Sequence, residues 1–334
     1  MKKNKYRFNI FLIVLVGFIV VYFTLKDDFY SVMDHFSKLN YWWILVAAGF
    51  YILNVFFQSL SQYRFLKEVK PDYKKYSCFK LMLMAMFFNG ITPFSSGGQP
   101  FEMYLLNKEG IKVSDSANAL LQNFITYQFS LIFMGAIALV LNNIFGIITS
   151  TKVLRSIVFL GFLINVIVMI VIVFISRGKK TNTKIFNKLF NFIFHFKFIK
   201  NREQKKEKAA RVLDDFYNST AMMKNNFKNT LMSVLYNCLS LFCLYAVAFF
   251  VFLALDSHIY LQEAFVASAY TFLVGSFVPI PGGTGGLEYA YLRFFEVFYT
   301  GGILKASMFL WRIFTYYFGM IVGGITLLTY RKKE

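Results

Sequence analysis

The sequence predicts an all-α polytopic membrane protein, and three observations carry that prediction. Apolar residues make up 57% of the 334 and charged residues only 16%, with 43 Phe and 21 Tyr; soluble domains carry about a quarter charged residues. Several apolar segments reach the roughly 20 residues that a helix needs to cross the hydrocarbon core. Lys and Arg crowd some of the connecting segments and are scarce in others, which is the asymmetry that orients membrane helices.

Taken in order, the first span is Phe8 to Leu25, preceded by Lys2, Lys3, Lys5 and Arg7. A secretory signal peptide shares that basic start and apolar core. Here the run is long and Lys26-Asp27-Asp28 follows it in place of a small-residue cleavage motif, so it reads as a retained helix with a cytoplasmic N-terminus. The second span, Tyr41 to about Gln62, opens on Tyr41-Trp42-Trp43, an aromatic belt suited to the membrane interface. It leads into a basic loop, 64–75. Cys78 to Leu106 is apolar but broken by Gly90, Pro93, Gly97, Gly98 and Pro100. Full spans follow at Ala117–Leu141, Leu154–Ile175 and Thr230–Leu255. Gln262 to Phe298 is broken again, by Pro279, Pro281, Gly282, Gly283, Gly285 and Gly286, and Lys305 to Tyr330 closes the series before Arg331-Lys332-Lys333.

Residues 177 to 228 hold 14 Lys or Arg against four Asp or Glu. The positive-inside rule then places the N-terminus, the 64–75 loop, the basic 177–229 loop and the C-terminus in the cytoplasm. About six full spans return both termini to one side only if each broken segment, 78–106 and 262–298, enters and leaves on one face as a re-entrant hairpin. The whole chain, 1–334, is expected to form a single membrane domain in a bacterial cytoplasmic membrane. Within the basic loop, Lys184 to Phe192 reads equally as a surface-lying amphipathic helix or a solvated linker.

The net charge of +19 does not point to nucleic acid. Its basic residues border the spans, where attraction to anionic headgroups accounts for them at about 1 kcal/mol each. Cys78, Cys238 and Cys243 lie apart in apolar segments and the three histidines are scattered, so no disulfide framework or zinc site is supported. No nucleophile–base set, phosphate loop or HExxH motif is present, and no catalytic residue, metal or cofactor is assigned.

The two breaks match. Pro93-Phe-Ser-Ser-Gly97-Gly98 and Pro281-Gly-Gly-Thr-Gly285-Gly286 both read P-x-x-x-G-G, lie 188 residues apart and precede Glu102 and Glu288. The flanking spans keep nearly the same offset. The chain thus reads as an inverted repeat, with copy A over about 41–141 and copy B over about 230–330. Such repeats with broken helices recur in transporters, where two opposed halves rock about a shared midplane site. Ionisable residues within the bilayer are costly, at roughly 2.5–3.5 kcal/mol on insertion scales, and so are candidates for function. Here they are Glu102, Glu288, Arg293, Glu296 and Arg312, and the structural alternative is an ion pair of Glu288 with Arg293 or Arg312. Asn89, Thr92, Ser95, Ser96 and Gln99 add hydrogen-bonding capacity around the first break. Lys80 is expected to snorkel to the interface, and Gly319 and Gly323 to pack helices.

Three segments together carry a resemblance: residues 89–106 (NGITPFSSGGQPFEMYLL), 279–288 (PIPGGTGGLE) and 311–317 (WRIFTYY). They resemble the transmembrane, flippase-like region of the lysylphosphatidylglycerol synthases, the multiple peptide resistance factors. The resemblance covers nearly the whole chain. It implies a role for Gly97, Gly98, Glu102, Gly285, Gly286, Glu288 and Arg312, and a link to cationic peptide resistance. Full-length members add a cytoplasmic domain that transfers lysine from lysyl-tRNA to phosphatidylglycerol. This chain ends at Glu334, without that domain, which argues against lysyl transfer by this polypeptide. The expected function is therefore translocation of an anionic or aminoacylated lipid such as lysyl-phosphatidylglycerol. The alternatives are the membrane part of a lysyltransferase, or a transporter of polyprenyl-linked glycolipids or small solutes. Expected partners are membrane phospholipids, with a separate aminoacyl-transferase or glycosyltransferase and a second copy of the chain as further candidates.

Overall fold

A computed structural model describes residues 29–92, 95–148, 152–176, 218, 222–223, 225–275 and 283–330. The first span, most of the basic loop, Pro93, Pro281 and the closing basic run lie outside the described residues. Those described are helical, without strands: α1 (Phe29–Ser37), α2 (Tyr41–Val69), α3 (Lys75–Ile91), α4 (Gly98–Lys108), α5 (Val113–Phe145), α6 (Lys152–Ser176), α7 (Phe227–Ala254), α8 (Leu261–Gly275), α9 (Gly286–Phe295), α10 (Gly301–Arg312), a π-helical turn (Ile313–Phe318) and α11 (Gly319–Thr329). By length and composition, α2, α5, most of α6, α7 and the continuous α10–α11 rod suffice to cross a membrane. These are five of the six spans read from the sequence.

The helices overrun the apolar stretches that reveal them. α2 continues past Gln62 to Val69, and its start is capped where the Asn40 side chain accepts from the Trp42 N–H at 3.1 Å. A helix leaving hydrocarbon keeps its backbone hydrogen bonds for a turn or more, so hydropathy marks its middle better than its ends. The stretch between the first two sequence-predicted spans contains α1, which buries Val32 and packs on α10.

The same order of elements occurs twice: span, two short helices, span. Gly98 opens α4 and Gly286 opens α9; Val113 opens α5 and Gly301 opens α10. Both pairs are 188 apart. The leading helices of the halves, α2 and α7, pack along their whole lengths. Trp43 and Phe50 meet Phe250, Asn54 meets Ser240, Phe57 meets Tyr236 and Ser61 meets Ser233. As one number rises the other falls, so these equivalent helices run antiparallel. The closing elements cross over as well: α5 packs on α8, and α11 packs on α3. Each half thus braces the broken helices of the other.

A buried polar seam holds this centre. Asn54 donates to the Ser240 carbonyl at 2.9 Å, the Ser61 hydroxyl to Asn123 Oδ1 at 2.6 Å, and Asn237 to Thr126 Oγ1 at 3.1 Å. Lipid tails are as apolar as leucine, so close packing and such bonds, rather than burial, join helices here. The Gly319/Gly323 pair packs as expected. A Cβ on Gly323 would lie 2.3 Å from the Leu83 carbonyl oxygen of α3, whereas one on Gly49 meets nothing within 4 Å. Gly323→Ala is therefore expected to lose about 1–3 kcal/mol through overpacking, and Gly49→Ala to stay within about 0.5 kcal/mol. Thermal unfolding of the two variants in one detergent compares them directly.

Candidate functional site

Each break is built by the side chains around it. At the first, α3 ends at Ile91 and α4 restarts at Gly98, with Ser95 between them in the left-handed region at φ 51°. Backbone strain of this kind in a non-glycine residue costs on the order of 1–3 kcal/mol and gathers at functional sites. The Gly97 N–H donates to Thr92 Oγ1 and the Gly98 N–H to Asn89 Oδ1, both at 2.8 Å. Phe88 stacks on Phe101 with centroids 4.0 Å apart, pinning the two arms together. A Cβ on Gly98 would fall 2.5 Å from Asn89 Oδ1, so glycine is what lets the cap close.

At the second break, Gly283 (φ 65°) and Gly285 (φ 86°) turn the chain into α9. The Glu288 carboxylate reaches back to accept from the Gly285 N–H at 2.7 Å. Its other oxygen accepts from Arg312 Nε, also at 2.7 Å, in a pair where both residues are under a tenth exposed. Arg312 ends α10 just before the π turn. A π turn widens the helix and is frequent at functional sites; here it carries Tyr316 beneath the guanidinium, 4.8 Å from ring centre to Cζ. The Tyr316 hydroxyl donates to the Gly90 carbonyl at 2.9 Å, tying the last span of the second half to the first break. Nothing in the apolar pattern of the Lys305–Tyr330 span marks this interruption.

The helix N-termini are therefore occupied from within. Thr92, Asn89 and Glu288 cap N–H groups of the kind that otherwise attract an anionic ligand to a helix start. Any anion bound there competes with those caps.

Glu102 is different. It is 4% exposed, on α4, and Gln62 Nε2 of α2 donates to its Oε1 at 3.3 Å. Among the described residues no cation pairs with it. It borders a cavity of about 550 Å³ whose wall includes Gln62, Gln99, Asn123, Gln128 and Asn165. A second cavity, of about 270 Å³, is bordered by Arg312, Tyr316 and Asn54. Gln58, Asn89, Ser95, Tyr127, Phe272 and Leu287 line both. The breaks thus flank one divided polar space, with Glu102 at one end and the Glu288–Arg312 pair at the other.

Of the sequence candidates, Gly98, Gln99, Glu102 and Arg312 line this space, while Gly97, Gly285, Gly286 and Glu288 build its edges. Arg293 does not join them. Its guanidinium is half exposed, pairs with Glu296 at 3.3 Å and lies over the Tyr289 ring. The sequence analysis missed Gln62, Tyr316, Gln128 and Asn165. The available signal was polar amides inside otherwise apolar spans, as with Gln58 and Gln62, one helical turn apart on α2.

Fold and site together define a polytopic α-helical membrane protein in which two interrupted helical segments flank a divided cavity bordered by Glu102 and Arg312. Comparison with known proteins agrees. The family model described as "Lysylphosphatidylglycerol synthase TM region" matches residues 10–323, and the chain belongs to that family. It is also similar to an uncharacterised MG306 homologue of Mycoplasma pneumoniae, at 22% identity over 358 residues covering 98% of this chain and 88% of the relative.

Proposed function

We propose that this protein is a lipid translocase of the cytoplasmic membrane, moving an anionic or aminoacylated phospholipid such as lysyl-phosphatidylglycerol between leaflets. The observation that carries this reading is the divided cavity with, at one end, a carboxyl group that no cation meets among the described residues and, at the other, a buried Arg–Glu pair. Its larger part, about 550 Å³, falls in the size range of small-molecule sites, large enough for a headgroup while the acyl chains stay in lipid. A guanidinium suits a phosphate bidentately, and a carboxylate suits an amine.

The antiparallel pairing of α2 with α7, and the crossed bracing of the broken helices, support an inverted repeat: copy A over about 41–141, with its hairpin entering from the cytoplasm, and copy B over about 230–330, entering from outside. Both termini then face the cytoplasm. In that arrangement the halves rock about the cavity and open it to either side in turn. Tyr316–Gly90 is one contact that such rocking breaks and remakes.

The test is headgroup accessibility in liposomes reconstituted with the purified protein. Fluorescent lysyl-phosphatidylglycerol, phosphatidylglycerol and a polyprenyl-phosphate lipid are each loaded, and the outer leaflet is quenched chemically. Movement of one of them faster than in protein-free liposomes, reduced in Glu102→Gln and Glu288→Gln, is the expected result and identifies the cargo. Wild-type protein that moves none of the three would overturn the translocase reading. It would turn attention to a separate aminoacyl-transferase or glycosyltransferase as partner.

A further inference from the structure

A third cavity, of about 770 Å³, lies apart from the divided site, where the α2–α3 connection, the end of α4 and the end of α11 converge. Lys70, Lys74, Lys80 and Lys108 line it against the carboxylates of Asp72 and Glu109. Neither acid neutralises the lysines. Asp72 pairs with none of them among the described residues, and Glu109 instead accepts from the Tyr330 hydroxyl at 2.9 Å. Lys70 donates to the Glu109 carbonyl oxygen at 2.9 Å. Lys80 and Lys108 rest on the rings of Tyr76 and Tyr104, at 4.5 and 4.6 Å, contacts that position an ammonium without removing its charge. Tyr73, only 6% exposed, forms part of the wall, and its buried hydroxyl has no hydrogen-bond partner among the described residues. Burial keeps that phenol well above its usual range, so it is a donor at neutral pH.

We propose that this cavity is a docking site for the phosphate of an anionic lipid headgroup at the basic face of the protein. Scattered lysines at a membrane surface attract anionic lipid without shape. These four instead converge on one concavity from three elements, the α2–α3 connection, α3 and α4, beside a donor without a partner among the described residues and with too few carboxylates to offset them. Lys108 and Glu102 sit six residues apart on α4, about 9 Å along the helix, so a headgroup held here is one short step from the larger cavity of the divided site. The inference goes beyond the translocase reading, and a binding measurement tests it without any transport, so the two can fail separately.

The experiment is native mass spectrometry of the full chain in detergent, with phosphatidylglycerol or phosphatidylcholine added. Wild type is compared with a pocket triple (Lys74→Gln, Lys80→Gln, Lys108→Gln), a control triple that removes as much charge elsewhere (Lys67→Gln, Lys112→Gln, Lys228→Gln), and Tyr73→Phe. Thermal unfolding of each variant verifies that it is folded. Wild type is expected to retain phosphatidylglycerol over phosphatidylcholine, the pocket triple to lose at least about tenfold of that affinity, Tyr73→Phe to lose a few-fold, and the control triple to stay near wild type. Equal losses in the two triples would reduce the cavity to general surface attraction and overturn the proposal. Displacement of bound phosphatidylglycerol by excess inorganic phosphate alone would show a free-anion site and overturn the lipid assignment.

Discussion

Replacing Arg312 with alanine is expected to cost this protein roughly 3–5 kcal/mol of stability, since it leaves a carboxylate buried without its counter-charge. Glu288 loses the 2.7 Å bond from Arg312 Nε and keeps, among the described residues, the Gly285 N–H alone. The side chain cannot escape to water, because it is buried at the first turn of α9, which packs against α8 and α10. A variant that simply fails to fold would leave the pair's role open, so the informative companion is Glu288→Gln with Arg312→Gln. Replacing both ions by neutral groups of similar size is often nearly neutral in stability. The double variant is thus expected to unfold within about 1 kcal/mol of wild type and still to lose lipid movement. The four-member thermal cycle gives the coupling directly, and adjacent charges in one network couple by about 0.5–3 kcal/mol. If the neutral pair both folded and moved lipid at the wild-type rate, the ion pair would be structural only, and the phosphate contact assigned to Arg312 would have to be withdrawn.

That pair shows where the sequence was legible and where it was not. Hydrocarbon as a solvent tolerates helices and little else, so composition and run length alone revealed the spans. Glycine and proline inside apolar runs revealed both breaks, because a helix cannot pass through them unchanged. The matching P-x-x-x-G-G patterns pointed to two like halves, and the structure starts α4 and α9, and likewise α5 and α10, 188 residues apart. Glu288 with Arg312 was nameable as a pair, since two opposite charges at membrane depth have few other partners. Three things were hidden. The Gln62–Glu102 contact joins residues 40 apart on different helices, which only the folded chain brings together. The π turn at Ile313–Phe318 leaves the apolar pattern of its span intact. Arg293 looked like a site residue because hydropathy cannot tell the buried side of a ten-residue helix from the side carrying Glu296.

The repeat also explains why the charges of the two breaks are unequal. Glu288 follows its glycine pair by two residues and Glu102 by four, so the two carboxylates are not equivalent positions. Two residues along a helix turn a side chain by about 200°. Glu288 therefore folds back onto its own helix start and meets Arg312, while Glu102 faces α2 and the larger cavity. One backbone plan, used twice, produces a neutralised end and an unneutralised one, which is what a cavity needs if it is to tell the two ends of a headgroup apart.

Glu102→Gln is expected to separate stability from transport more cleanly than any other change in this chain. A carboxyl group 4% exposed, with one amide donor at 3.3 Å and no cation among the described residues, is a poor structural choice, since buried polar groups usually have full sets of partners. Glutamine has the same shape and keeps a hydrogen bond to Gln62 once the amides orient. Thermal stability should therefore hold or rise by up to about 1 kcal/mol, as happens when a residue retained for function is replaced by one that suits the fold. Lipid movement in liposomes should fall at least about tenfold, the loss that 1.4 kcal/mol at the rate-limiting step produces. Glu102→Asp keeps the charge but withdraws it by one methylene, and should retain part of the activity if charge rather than shape is what the cargo meets. Unchanged transport in Glu102→Gln, with stability also unchanged, would show that the cavity works without this carboxylate. The search for the group that contacts the cargo would then move to the amides of Gln99, Gln128 and Asn165.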